Sequence, residues 1–142
     1  MSIFAGTFVH TTQLGHLEIL YDHVLVVDDL GFIEDICASD SPAGASYLAR
    51  PQTTVTSLPP GSFFLPTFSD LHLHAPQYLY LGTGLHLPLM EWLNEYAFTA
   101  EEQIDQDPNG LALRVYTRLA KRLIQAGTGA ALLFGTIQEE SK

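Results

Sequence analysis

The chain has 142 residues and a mass of 15.6 kDa, enough for one domain, or for one small domain and part of another. Hydrophobic residues make up 46% and charged residues 15%, with mean hydropathy +0.14, which excludes a wholly disordered chain. The net charge is −10, and of the 6 basic residues only Arg50 precedes Arg114, so no cluster exists to track a nucleic-acid backbone or an anionic membrane surface. The single Cys37 excludes an internal disulfide framework and a paired-cysteine zinc module. No apolar run approaches the ~18 residues of a spanning helix. Met1 to Ala5 lacks the basic flank of a secretory signal, so the expected setting is the reducing cytoplasm.

The first sixty or so residues read as strands. Ile3 to His10 is an apolar, β-branched run containing Gly6. Leu17, Ile19 and Tyr21 alternate with Glu18, Leu20 and Asp22, and His23 to Val27 is a further short run. Another strand starts at Gly31-Phe32-Ile33. Turn chemistry falls at Gln13–Gly15, Asp28–Gly31 and Asp40–Gly44. The spacing predicts a small antiparallel sheet or sandwich. Residues 38 to 52 read as loop with room for one helical turn, and Thr53 to Leu58 as one more strand. Pro59-Pro60-Gly61 cannot supply ladder N–H groups at its two prolines, which places a boundary there: a first domain at 1–61 and a second at 62–142.

Beyond the boundary the pattern changes. Ser62 to His74 is a buried-strand type of run with polar residues toward its end. Pro88 to Phe98 reads as a helix, with Pro in its first turn and Leu89, Trp92, Leu93 and Tyr96 at helical spacing. Leu111 to Ala126 is a second helix with Val115, Leu119 and Leu123 on its apolar face. Gly127 stands where a helix-ending glycine belongs. Thr128 to Ile137 is an apolar strand. Strand, helices and strand make one right-handed βαβ-type crossover of a parallel sheet.

Asp70, His72 and His74 are the most informative trio. Residues i, i+2 and i+4 of a strand share a face, and same-face Cα atoms stand about 6.7 Å apart. Two imidazoles leaning together from that spacing can both reach one ion at about 2.0–2.1 Å. Asp70 can orient an imidazole from behind the ligands. The competing reading is a pair of solvated or hydrogen-bonded histidines. Other mechanisms are weaker. HExxH is absent, and no lysine follows a glycine-rich loop. Gly82-Thr83-Gly84 reads as a turn, and Glu91 as a solvated or capping residue. His10, His16, His23 and His86 are scattered and read as structural or exposed.

The stretch Phe64-Leu65-Pro66-Thr67-Phe68-Ser69-Asp70-Leu71-His72-Leu73-His74-Ala75-Pro76-Gln77-Tyr78 resembles the first barrel strand of the guanine deaminase family of metal-dependent amidohydrolases. Leu87-Pro88-Leu89 followed by Glu91-Trp92-Leu93, Tyr96 and Phe98 is similar to that family's own helix. Val115 to Arg118, Ala126 to Thr128 and Phe134 to Ile137 look like its next helix and second barrel strand. Gly6 to His10 and Asp22-His23 are similar to its N-terminal sandwich.

The resemblance implies an α/β chain with a composite β-sandwich segment, followed by the first βα units of a (β/α)8 barrel. It implies hydrolytic deamination of guanine to xanthine and ammonia with a zinc-activated water. His72 and His74 would be metal ligands, and His74, Ala75, Pro76 and Gln77 would line the guanine site, with Gln77 on the purine edge. The expected partners are guanine and, for a full-length member, a second copy of the chain. Departures from the family pattern are Thr67, Leu71, His86, Thr99 and the turn Gly127-Thr128-Gly129.

The chain is also short of the ~250 residues that a barrel takes. The expectation is therefore an N-terminal portion, with the catalytic acid and further ligands beyond residue 142 and no activity by itself. The alternatives are a non-catalytic fragment or interaction module, and an amidohydrolase for another heterocyclic amine. The Glu91-Trp92-Leu93 motif argues against the latter.

Overall fold

In the computed structural model, which describes residues 1–51 and 54–141, the chain forms two compact units, Met1–Pro66 and Thr67–Lys142. Gln52, Thr53 and Lys142, where the expected loop ends, the expected fourth strand begins and the expected second domain closes, lie outside the described residues.

The first unit is built on a long hairpin. Strand β1 (Ser2–Gln13) pairs antiparallel with β2 (His16–Val27) across the turn Leu14-Gly15, where Gly15 takes φ 77°. The two runs expected at Leu17–Asp22 and His23–Val27 are one strand. They read as two because of a bulge: Gly6 pairs with His23 but Phe8 with Leu20, so β2 carries an extra residue. Asp22, in that bulge, has φ 51°, a conformation Asp tolerates better than most side chains. Strand β3 (Ile33–Ala38) follows antiparallel on the far side of β2. In the turn before it, Asp28 accepts hydrogen bonds from the N–H groups of Leu30 (2.9 Å) and Phe32 (2.8 Å).

Helix α1 (Pro42–Leu48) fills the expected loop. Ser41 caps it, accepting from Gly44 N–H, and Pro42 suits its first turn. Strands β4 (Val55–Ser57) and β5 (Phe63–Phe64) then both pair with β1 in parallel. The sheet is therefore mixed, where the spacing predicts an antiparallel one. Ile3, Val24 and Val26 are fully buried at its centre, packed by Cys37, Tyr47 and Val55. Each such side chain contributes about 1.5–3 kcal/mol by leaving water. Phe63 and Phe64 belong to this unit rather than to the next strand. Phe64 stacks on Phe8 at 5.5 Å and meets Phe4 edge-on at 5.3 Å. Cysteine 37 is a free thiol.

The second unit starts with β6 (Phe68–His74) and a 3-10 turn (Ala75–Leu79). Gly82-Thr83-Gly84 is a turn, as expected, and Thr83 accepts the Trp92 indole N–H at 3.0 Å. Gly84, at φ 67°, lies so close to the Tyr96 ring that a Cβ there would collide. The helix predicted over Pro88–Phe98 is longer. It runs through α2 (Leu89–Trp92), a wide π turn (Leu93–Ala97) and α3 (Phe98–Gln106). Trp92, Leu93 and Tyr96 pack with Tyr80, Ala97 and Ala100, so the π turn keeps both halves of the helix facing the core.

Asp107 accepts from the N–H groups of Gly110 (3.0 Å) and Leu111 (2.8 Å), and so starts the next helical segment. A second π turn (Pro108–Ala112) leads into α4 (Leu113–Gln125). Val115 and Leu119 are buried, as the apolar spacing predicts, and Gly127 ends the helix with φ 83°. Strand β7 (Thr128–Phe134) returns parallel to β6. This is the expected strand–helix–strand crossover.

The segment after β7 is tied back to α3. Asp105 accepts hydrogen bonds from Ser141 Oγ and from the N–H groups of Ile137 and Gln138, at 3.3 Å each. Burial by itself would raise the Asp105 pKa, but hydrogen bonds from Ser141, Thr136 and the two backbone N–H groups outweigh it and hold the carboxyl below its usual value. A carboxyl depressed in this way stabilises the fold above its unfolded pKa and loses that contribution as pH falls through the folded one. Amide exchange over 136–141 should therefore accelerate as pH drops below about 4, after correction for intrinsic rates, and Asp105→Asn should abolish that step. A second expectation concerns the cap. Asp107→Ala should lower the stability of the second unit by about 1 kcal/mol in urea unfolding, with Asp107→Ser restoring most of it.

Candidate metal and ligand site

His72 and His74 end strand β6. Their Nε2 atoms face each other at 3.1 Å, and their ring centroids lie 5.1 Å apart. The same-face placement follows the i, i+2 spacing, although the strand is not regular there. Asp70 pairs with Ala131 and Leu73 with Leu133, so β6 carries one extra residue across Leu71-His72. Asp70 supports this irregularity: its Oδ1 accepts the backbone N–H of His72 at 3.1 Å. The sequence places Asp70 behind the imidazoles as their orienting acid; in the structure its hydrogen bond is to the backbone N–H of His72 instead.

Phe134, at the end of β7, lies beside both rings, 4.8 Å from His72 and 5.0 Å from His74, the latter nearly parallel at 19°. The strand register makes Phe134 the direct neighbour of His74. Gln77 sits on the 3-10 turn that follows β6. It joins His72, His74, Leu73, Tyr78, Leu81 and Leu119 around a concavity of about 350 Å³. Ala75 and Pro76, expected to line the ligand site beside Gln77, are buried and lie outside that lining. They pack inward and open the turn that carries Gln77.

The donor chemistry fits a divalent ion at two positions. Two nitrogens each about 2.0–2.1 Å from a tetrahedral zinc ion stand roughly 3.3 Å apart, close to the 3.1 Å between the facing Nε2 atoms. Among the described residues no group of three His, Cys, Asp or Glu side chains is placed to hold a metal. The pair is thus a half-site: it can hold one side of an ion and leaves the rest of the coordination to other donors. The remaining histidines are elsewhere. His10 pairs with Glu18 at 2.8 Å, His23 Nδ1 lies 2.7 Å from the Tyr21 carbonyl, and His86 is exposed, as is Glu91.

The chain is 39% identical over 142 residues to guanine deaminase of Mus musculus, a match covering 98% of this chain and 30% of the relative. It matches the N-terminal portion of guanine deaminases. The solved structure of guanine deaminase from C. acetobutylicum, with guanine bound in its active site, superposes with TM-score 0.76 at 33% identity over 99% of this chain and 31% of that one. E. coli guanine deaminase shares the fold, with TM-score 0.82 at 24% identity over 99% of this chain and 33% of its own. No family model matches. The chain thus spans about 30% of the length of these guanine deaminases. Among the described residues no helix is long and apolar enough to cross a membrane.

Phe134 was not foreseen at the site. It lies inside the expected strand Thr128–Ile137, which in the structure ends at Phe134, and its place beside the imidazoles depends on the β6–β7 register, which no local pattern encodes. If the pair is a half-site, zinc added to the chain should perturb the ring resonances of His72 and His74 together. His74→Ala should weaken that binding about tenfold or more, and Phe134→Ala should weaken it less.

Proposed function

We propose that the chain is the N-terminal part of a guanine deaminase, contributing to the hydrolysis of guanine to xanthine and ammonia. The observation that carries this reading is the pair of facing imidazoles at the end of β6, 3.1 Å apart, with Gln77 on the same concavity. Similarity to guanine deaminases along 98% of the chain supports it. On this reading, Met1–Pro66 is the N-terminal segment of a composite β-sandwich. Thr67 onward is the start of a (β/α)8 barrel, with β6 and β7 as its first two strands. The whole enzyme is a cytoplasmic homodimer.

His72 and His74 would hold a zinc ion through Nε2. Bound zinc lowers the pKa of water toward neutrality and so makes a nucleophile available at ordinary pH. The chain's own residues bind and orient. The Gln77 amide has both a donor and an acceptor, and so can read a purine edge that presents both. Leu73, Leu81 and Leu119 supply apolar surface beside it, where a planar heterocycle loses water. Asp70, by taking the His72 N–H, holds the irregular strand that points both rings to one side. Ala75 and Pro76 fix the turn that sets Gln77 against His74.

The second reading, a module without activity of its own, has one observation in its favour: only two ligands gather at the site among the described residues. One experiment separates the two. The matching N-terminal portion of the Mus musculus enzyme is replaced by this chain, and ammonia release from guanine is measured. A deaminase portion should give an active chimera that loses at least about 10³-fold in kcat with His72→Ala or His74→Ala. A folded, zinc-loaded chimera without activity would favour the second reading. The chain by itself, loaded with zinc, should release no ammonia.

A further inference from the structure

We propose that Asp105 is a positioning residue for the paired imidazoles: by anchoring the segment that leaves β7 it holds Phe134 against His72 and His74. The inference rests on the reading of these histidines as metal ligands. Histidine ligands work only when their rings are held in one orientation, a task that usually falls to a carboxylate or carbonyl bonded to the second ring nitrogen. Among the described residues neither ring has such a partner, and Asp70 is engaged with the His72 backbone. Among the described residues the hydrogen-bonding and aromatic partners of the two rings are each other and Phe134.

Phe134 is the last residue of β7, so its position depends on where the chain goes next. Two residues on, Thr136 is buried, and with Ser141 it makes up the buried polar side chains of the described residues. Their hydroxyl oxygens lie 2.7 Å apart. Both belong to a network centred on Asp105, which accepts from Ser141 Oγ and from the N–H groups of Ile137 and Gln138. A single carboxylate on α3 therefore collects the donors of one short segment: the Ser141 hydroxyl closely, and the two backbone N–H groups over a long 3.3 Å. The path from Asp105 to the imidazoles runs through the backbone of 135–138 and one aromatic ring. Asp105 itself faces another concavity, beside Phe98, Glu101, Glu102 and Ile137, and does not line the one that holds His72 and His74. Its effect on the site is indirect.

The test is NMR of the full chain without metal, comparing wild type with Asp105→Asn and Asp105→Glu. Wild type should show nuclear Overhauser contacts from the Phe134 ring to both imidazoles. Asp105→Asn should lose them and exchange the Ile137 and Gln138 amides about tenfold faster, while contacts among Ile3, Val24 and Val26 persist. Asp105→Glu, which keeps the charge, should retain part of the ring contacts. A carboxylate that only anchors 136–141 would, when replaced, free the amides and leave the Phe134 ring contacts in place. Released amides with Phe134 still seated on both rings would overturn the proposal, and so would unchanged amides. Should Asp105→Asn unfold the second unit, Thr136→Val decides: partial loss of the ring contacts supports the proposal and full retention refutes it. A separate zinc titration of wild type and His72→Ala judges the metal reading. Failure of zinc to bind at these rings would remove that reading, while the ring contacts would still decide whether Asp105 positions them.

Discussion

The parallel pairing of Phe68–His74 with Thr128–Phe134 is the constraint on which the second unit depends. Two parallel strands cannot be joined by a tight turn, so a long crossover must leave the end of the first and re-enter at the start of the second. The turn after His74, the helices between Leu89 and Gln125 and the glycine at 127 are that crossover. Pairing brings Phe134 level with His74, and an extra residue in β6 is absorbed where Asp70 can take the loose N–H of His72. The site is thus a consequence of the register. A one-residue slip would turn the imidazoles away from Phe134.

The first unit obeys a different constraint. Its hairpin is local, and its sheet grows outward from β1, which takes an antiparallel partner on one side and two short parallel ones on the other. Gly6 marks the crowded point. With φ 152° it lies opposite Leu58, and a Cβ there would stand 2.7 Å from the Leu58 Cβ. The close approach lets the chain running from β4 to β5 lie along β1, and the bulge at Asp22 gives β2 the extra residue that the same region requires.

Much of this was legible in the sequence, because it is encoded within a few residues. The strand runs, the turn at Leu14-Gly15, the helix face of Val115 and Leu119 and the stop at Gly127 each follow from short-range chemistry. So does the common side of His72 and His74. The misreadings share a cause. Phe63-Phe64 look like the start of the next strand, but pair with a strand more than fifty residues earlier. The helix running on to Gln106 was missed because 99–106 is polar apart from Ala100 and Ile104, and its two apolar positions read as a helix face only beyond a π turn. The roles of Asp105 and Phe134 are not legible in the sequence, because they lie in partners far along the chain and nothing near them signals it.

The crossover also sets an order of events during synthesis. The β1–β2 hairpin can close on the microsecond scale once both strands have left the ribosome. Strand β6 has no such early partner. Sixty residues separate His74 from Phe134, and at about 5–20 residues per second the nascent chain carries its two histidines on an unpaired strand for roughly 3–12 s. During that interval Phe68 and Leu71, still exposed after folding, are joined in water by the whole bare edge of β6. The net charge of −10 opposes association between such chains.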